Sequence, residues 1–222
     1  LATGLAIMGF GFAAMIASPI MNFLIENYGI SNTFYILGAC YFVIIFCSAQ
    51  YLAPPKQGWI PKGMQSTGKT SGNVKLKEDL RQLTANEAVK TREFWALWLM
   101  LFINITCGIA ILAVASPMAQ ELVGMSAAGA ATMVGVMGLF NGGGRIVWAT
   151  ISDYIGRPNV YTLFFAFQVV AFFLLPNLTV GLLFSITVYL IMTCYGGGFS
   201  SIPAYIGDLF GTKQLGAIHG YI

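Results

Sequence analysis

Arg145 poses the first chemical question in this chain. It stands in GLFNGGGRIVWATISDYIGR (138–157), an apolar, glycine-rich stretch whose next charge is Asp153, followed by Gly156 and Arg157. A guanidinium presents a planar fork of donors that fits a carboxylate or a phosphate. Asn141 precedes it by one helical turn and shares its face, able to donate to an anion or to orient the guanidinium but not to carry a proton. Gly138 and Gly142 keep that face open. Asp153, Gly156 and Arg157 carry a different chemistry. An acid at a helix C-terminus opposes the helix dipole and has to pair, either with Arg157 or with the start of another helix. Such a clamp gates if it breaks and re-forms, and staples if it does not.

Other chemistries find no residues to run them. His219 is the sole histidine, no Ser/His/Asp set exists, and the acids do not cluster as metal ligands. The chain therefore reads as neither an enzyme nor a holder of a cofactor or metal. Neither Gly-Gly-Gly run follows a strand or leads into Gly-Lys-Ser/Thr, which excludes a phosphate loop. Cys40, Cys47, Cys107 and Cys194 all lie in apolar segments and read as small packing residues.

The elements that must position Arg145 follow from composition. The 222 residues are 57% hydrophobic and only 9% charged, with mean hydropathy +0.77. Soluble domains hold about 25% charged residues. This is an all-α membrane protein. A helix needs about 20 apolar residues to cross about 30 Å of hydrocarbon. Six runs qualify: Thr3 to Leu24, Thr33 to Leu52, Phe94 to Ala119, Ala127 to Ile151, Val160 to Leu175 and Thr179 to Ile206. A seventh starts near Leu215. A span broken off so soon would leave its backbone unpaired in lipid. The sequence is therefore expected to continue beyond Ile222, and also before Leu1, where no cleavable signal peptide is legible.

The polar segment 53–93 sets orientation. It holds Lys56, Lys62, Lys69, Lys75, Lys77, Arg81, Lys90 and Arg92, and Lys and Arg in short loops favour the cytoplasmic side. Counting spans from there places the turns at Arg157 and Lys213 inside as well. The turns at Glu26–Ser31, Gln120–Ser126 and Pro176–Asn177 fall outside and carry no Lys or Arg. Every basic residue but Arg145 is thus cytoplasmic. Residues 53–72 read as an irregular linker rich in Pro, Gly, Ser and Lys. Residues 73–92 place Leu76, Leu80 and Leu83 at helical spacing, as in a short amphipathic helix on the inner surface. Orientation and headgroup contact explain the basic loop without nucleic acid. Trp95, Trp98 and Trp148 fall at inner boundaries and read as interfacial anchors. Gly9/Ala13/Ala17, Gly138/Gly142 and Gly196/Ser200/Ala204 are small-residue stripes for close helix packing.

Within a span, Arg145 costs about 2.5–3.5 kcal/mol. It lies about 12 Å along the helix from Asp153 at the inner end, too far for easy snorkelling. Glu26 and Glu121 fall outside; Asp153 and Asp208 fall at inner ends. Three partners remain open: an anionic substrate in a water-filled cavity, an acid on helices outside this sequence, or headgroups. Tyr195 and Phe199 flank Gly196–Gly198 on the sixth span, where they either wall off a small planar anion or pack in the core.

These residues are familiar. ATISDYIGRP (149–158) resembles the loop motif of the major facilitator superfamily, with Ala149 in place of the leading Gly. PPKQGWIPKG (54–63), TREFWALW (91–98), FNGGGR (140–145) and DLFGT (208–212) resemble the oxalate:formate antiporter family of carboxylate transporters. The resemblance covers the whole chain and implies a fold of twelve helices in two six-helix halves. On that pattern this chain is a partial major facilitator fold of six transmembrane helices plus the start of a seventh, helices five to eleven. Residues 1–52 are the last two helices of the N-terminal half, 53–93 the cytoplasmic central loop, and 94–222 the first part of the C-terminal half. LATG (1–4) and AIHG (217–220) would be equivalent starts in the two halves. The resemblance implies that Arg145 binds the substrate carboxylate and that Tyr195 and Phe199 are the aromatics beside the helix-ten glycines. Family members for oxalate add a helix-eleven lysine, at a position past Ile222. Related proton-linked carriers place an Asp one turn before the Arg; here that residue is Asn141.

The expectation is a secondary active transporter of small carboxylates, a monocarboxylate such as lactate or formate, or oxalate, working by alternating access as an antiporter or proton symporter. Arg145, Asn141, Tyr195 and Phe199 would bind substrate, and Asp153, Gly156 and Arg157 would gate. Its partners would be a small organic anion, the lipid bilayer and protons. It would be a monomer when full length, in the plasma membrane with many passes and loop 53–93 cytoplasmic. An anion channel and a non-transporting membrane sensor are the competing readings.

Overall fold

The structure, a computed structural model, describes residues 2–53 and 82–222. Its elements are α1 (Ala2–Tyr51), α2 (Ala85–Ala88), α3 (Arg92–Glu121), α4 (Ala127–Ile155), α5 (Arg157–Leu174), a 3-10 turn (Leu175–Asn177), α6 (Gly181–Phe210) and α7 (Leu215–Tyr221). The described residues hold helices and no strand, as the apolar runs require. The chain divides into two compact units, residues 1–18 with 79–222, and residues 19–78. The expected linker beyond Ala53 and residues 73–81 of the expected amphipathic helix fall outside the described residues; in the remainder Leu83 is not helical and only Ala85–Ala88 form a helix before α3.

Each helix end in the first unit has a local cause. Thr91 caps α3 through the Phe94 N–H, and Ser126 caps α4 through the Gly129 N–H. Thr84 and Glu87 form a reciprocal capping box at α2. Gly156 (φ 88°, ψ 151°) ends α4 and starts α5, a conformation that only glycine adopts without strain. α6 is the hub, touching α3, α4, α5 and α7, with its broadest contact to α4. Two apolar clusters flank it. One joins Phe94, Leu97, Phe164, Ile202 and Phe210; the other joins Ile111, Met137, Phe184, Val188 and Ile191.

Among the described residues, five stretches are long and apolar enough to cross a membrane: Thr3–Met21, Phe23–Tyr51, Arg92–Glu121, Arg157–Asn177 and Gly181–Phe210. α4 is helical for 29 residues, yet its glycines, Asn141 and Arg145 lower its hydropathy below theirs. In the second unit the expected turn at 26–31 shrinks to one residue. The helix runs on either side of Gly29, which alone departs from helical geometry (φ 76°, ψ 167°). Asn27, Asn32 and Thr33 each donate to the carbonyl four residues back, which satisfies backbone acceptors around the break. Phe34, Phe42, Ile44, Ile45 and Phe46 stay exposed, a surface suited to lipid or to further apolar helices.

Two packing expectations change. Trp148 is not an interfacial anchor. Its ring lies edge-on to Phe164 at 5.0 Å and its Nε1 donates to Thr193 Oγ1 at 3.2 Å, inside the bundle. Trp95 keeps the anchor pattern: it is exposed, with Nε1 donating to the Val89 carbonyl at 3.0 Å. The stripe on the first helix is also different. Gly9 meets nothing within 4 Å, while a Cβ on Gly11 would overlap the Gly142 backbone.

Candidate functional site

Glycines bring three helices to the cation. A Cβ on Gly4 would lie 2.5 Å from the Arg145 carbonyl oxygen, and one on Gly142 would lie 2.6 Å from the Phe12 ring. A Cβ on Gly144 would lie 2.5 Å from the Thr193 carbonyl oxygen. The start of α1 and the middle of α6 therefore press backbone to backbone on α4, as small residues permit.

Arg145 is 2% exposed in the resulting cleft. Its Nε donates to Asn141 Oδ1 at 3.3 Å and its Nη1 to the Ile7 carbonyl at 3.3 Å. Nη2 is buried without a partner. The guanidinium carbon lies 4.8 Å from the Phe10 ring centroid and 5.1 Å from that of Phe199. A desolvated cation–aromatic contact is worth about 2 kcal/mol. With Phe10 68% exposed, the two contacts offset part of the insertion cost. They do so without neutralising the charge. Among the described residues no ion pair joins a carboxylate to Arg145.

The three residues expected beside Arg145 around an anion do not all touch the guanidinium. Asn141 (7% exposed) bonds it and Phe199 faces it. Tyr195 stands one layer back, edge-on to Phe199 at 5.4 Å. Its ring lies on Gly108 of α3, where a Cβ would overlap it. Gly196 is crowded by Asn141 in the same way, so α6 brings its aromatics in by having no side chains between them.

At the far end of α4, Arg157 Nη1 lies 2.7 Å from Asp153 Oδ1 and donates to Ser152 Oγ at 2.7 Å. Its Nε lies 3.6 Å from Asp208 Oδ2, at the end of α6. Asp153, Gly156 and Arg157 thus come together as the turn implied, with Asp208 joining them from another helix. Nearby, Gln82 Oε1 accepts from the Lys213 N–H, Gln214 Oε1 from the Ala85 N–H, and the Phe210 carbonyl from the Leu83 N–H.

Sequence reading missed the α1 side of the site, Ile7 and Phe10, because an apolar residue and a carbonyl carry no signal. It also passed over Asn104 and Gln168, which are buried amides bonded to each other at 3.0 Å. There the signal existed: each interrupts an apolar run. Apolar cavities of about 320 Å³ beside Cys107 and Phe165 and about 440 Å³ beside Phe140 and Val147 do not reach Arg145. The described residues include no group of His, Cys, Asp and Glu that could hold a metal.

The sequence model described as Major Facilitator Superfamily matches residues 1–222. The chain is 25% identical over 223 residues to the oxalate:formate antiporter of Oxalobacter formigenes, covering 100% of this chain and 50% of that protein. It is 27% identical over 227 residues to the MFS-type transporter YhjX of Escherichia coli K12, covering 100% of this chain and 52% of the relative. It is 26% identical over 220 residues to apicoplast pyruvate carrier 1 of Toxoplasma gondii, covering 87% of this chain and 39% of the relative. The chain spans about half the length of the first two.

Proposed function

Because the chain belongs to the Major Facilitator Superfamily, whose members are transporters rather than enzymes, we propose that it forms part of a secondary active transporter of small carboxylates. Arg145 binds the anion, Asn141 orients the guanidinium, and Phe199, backed by Tyr195, forms the wall against which a planar anion rests. The observation that carries this reading is Nη2 of Arg145, a buried donor on an uncancelled charge. An ionised donor left without an acceptor in an apolar interior is costly, and a carboxylate would relieve that cost. Names of relatives support the substrate class, one an oxalate:formate antiporter and another a pyruvate carrier.

The cycle follows from charge. An empty site holds a desolvated cation and resists occlusion; a loaded site is neutral and closes at lower cost. Asp153, Gly156 and Arg157, with Asp208, gate the inner face. Residues 1–52 end the N-terminal half and 94–222 begin the C-terminal half, with 53–93 as the central loop on the cytoplasmic side of the plasma membrane. The full-length protein works as a monomer. Exchange or proton symport both fit; Asn141 cannot relay a proton, so a proton-coupled cycle needs another group.

Carboxylate uptake by the full-length protein in proteoliposomes tests the reading. Arg145→Lys keeps the charge but loses the fork, and is expected to abolish most transport. Near-parental uptake would overturn the role of Arg145. Uptake accelerated by substrate on the far side identifies a carrier; its absence would favour a channel.

A further inference from the structure

Two polar side chains, one from α3 and one from α5, bond one turn of α6, and a third from α5 supports the first. Asn104 (0% exposed) shares its Nδ2 between the carbonyls of Cys194 and Tyr195, 3.5 Å from each. Gln168 (2% exposed) donates Nε2 to Asn104 Oδ1 at 3.0 Å. The hydroxyl of Tyr161 donates to the Gly198 carbonyl at 2.7 Å. The turn they hold, 194–198, carries Tyr195 and leads directly to Phe199, whose ring faces Arg145.

This turn is helical, but its three glycines hold it loosely. Gly196, Gly197 and Gly198 are the residues with the greatest backbone freedom, and each is crowded on its bare side. A Cβ on Gly198 would overlap the Asn104 amide, one on Gly196 the Asn141 carbonyl, and one on Gly197 would lie 2.7 Å from Trp148. Five residues after Gly198, Pro203 has no N–H, so the Phe199 carbonyl lacks its helical donor. Packing alone gives no reason for amides here. Leucine would fill the same space without the cost of burying polar atoms. The amides supply what an apolar side chain cannot, a directional tie to carbonyls of a neighbouring helix.

We propose that Asn104, oriented by Gln168, is a positioning residue of the carboxylate site. Through the 194–198 turn it sets where Tyr195 and Phe199 stand against Arg145. Gly108, one turn further along α3, provides the floor for the Tyr195 ring, so one face of α3 fixes both the backbone and the ring. The proposal rests on the reading of Arg145 as the anion site, and its test separates the two.

The test uses the full-length protein. In proteoliposomes, Asn104→Ala is expected to raise the KM for carboxylate about five- to tenfold, the scale of one lost hydrogen bond, with Vmax within about twofold. Gln168→Met, close in shape but without the donor, should move KM in the same direction, and the double variant should match Asn104→Ala alone. KM unchanged in both variants, or Vmax lost at constant KM, overturns the proposal. A second measurement needs no transport: the ¹⁹F resonance of 3-fluorotyrosine at Tyr195, identified through Tyr195→Phe. It should shift or broaden in Asn104→Ala and Gln168→Met, and an unchanged resonance overturns the positioning role. If the parent moves no carboxylate, the substrate reading fails and the Tyr195 resonance still decides.

Discussion

The Nε of Arg157, the first residue of α5, lies 3.6 Å from Asp208 Oδ2, at the C-terminal end of α6. The same guanidinium lies 2.7 Å from Asp153 Oδ1 on α4. One side chain therefore ties three helix ends. The two contacts differ in strength. Both acids are about equally exposed, but the pair with Asp153 is short and reinforced by Ser152, while the reach to Asp208 is beyond hydrogen-bond distance. Exposed pairs are worth about 0–1 kcal/mol. A double-mutant cycle on thermal unfolding of the full-length protein should give a coupling below about 0.5 kcal/mol for Arg157–Asp208 and a larger one for Arg157–Asp153. Salt should erase the first before the second.

Neighbouring glycines on α4 should respond with opposite signs. A Cβ on Gly144 would strike the backbone of Thr193, which cannot yield as a side chain would. Gly144→Ala is expected to destabilise by about 1–3 kcal/mol. A Cβ on Gly143 meets nothing within 4 Å. Gly143→Ala should gain about 0.5–1 kcal/mol from reduced backbone freedom. Thermal unfolding of both variants in one detergent checks the sign.

Arg145 should prove to be a cost to the fold. With Nη2 unpartnered and no acid paired to it among the described residues, Arg145→Met removes a desolvated charge and keeps the bulk. Unfolding temperature is expected to hold or rise while carboxylate uptake disappears. A sharp loss of stability would assign the residue to structure.

The capping box ahead of α2 carries a pH dependence. The Thr84 N–H and hydroxyl bond the Glu87 carboxylate and hold it below the ordinary glutamate range. A depressed carboxyl adds stability above its unfolded value, and that stability is lost as pH falls through the folded value. Hydrogen exchange at the Thr84 amide should lose its protection in acid, and Glu87→Gln should abolish the dependence.

How much of this was legible depends on what each residue offers to a one-dimensional reading. Helix existence was plain, since a run of about 20 apolar residues has little alternative in lipid. Gly29 was harder to place, because a single positive φ replaces a loop whose polar residues suggested more. The Arg145–Asn141 pair and the Asp153–Arg157 pair were legible from four-residue spacing. Phe10 and Ile7 were not, since nothing local marks which apolar helix lies across from a cation. Asp208 and Arg157 are far apart in sequence and meet only because α4, α5 and α6 end together. Trp148 was misplaced because its distance from the charged turn could not tell a ring facing lipid from one facing α5 and α6.

The two sides of the cleft are built differently. On one side α4 and α6 meet through Gly144 and Thr193 with no side chain between them, so Arg145 and Phe199 travel as one body. On the other side Ile7 and Phe10 hold the same guanidinium from α1, which the proposed cycle assigns to the opposite half. Any parting of the halves would strip away one hydrogen bond and one aromatic face together. Water entering the open cleft would replace those contacts, so the charge needs an anion most when the cleft is shut and Nη2 stays unpartnered. Closing would then be easier around a bound anion than on an empty site, with no need for the cation itself to move along its helix.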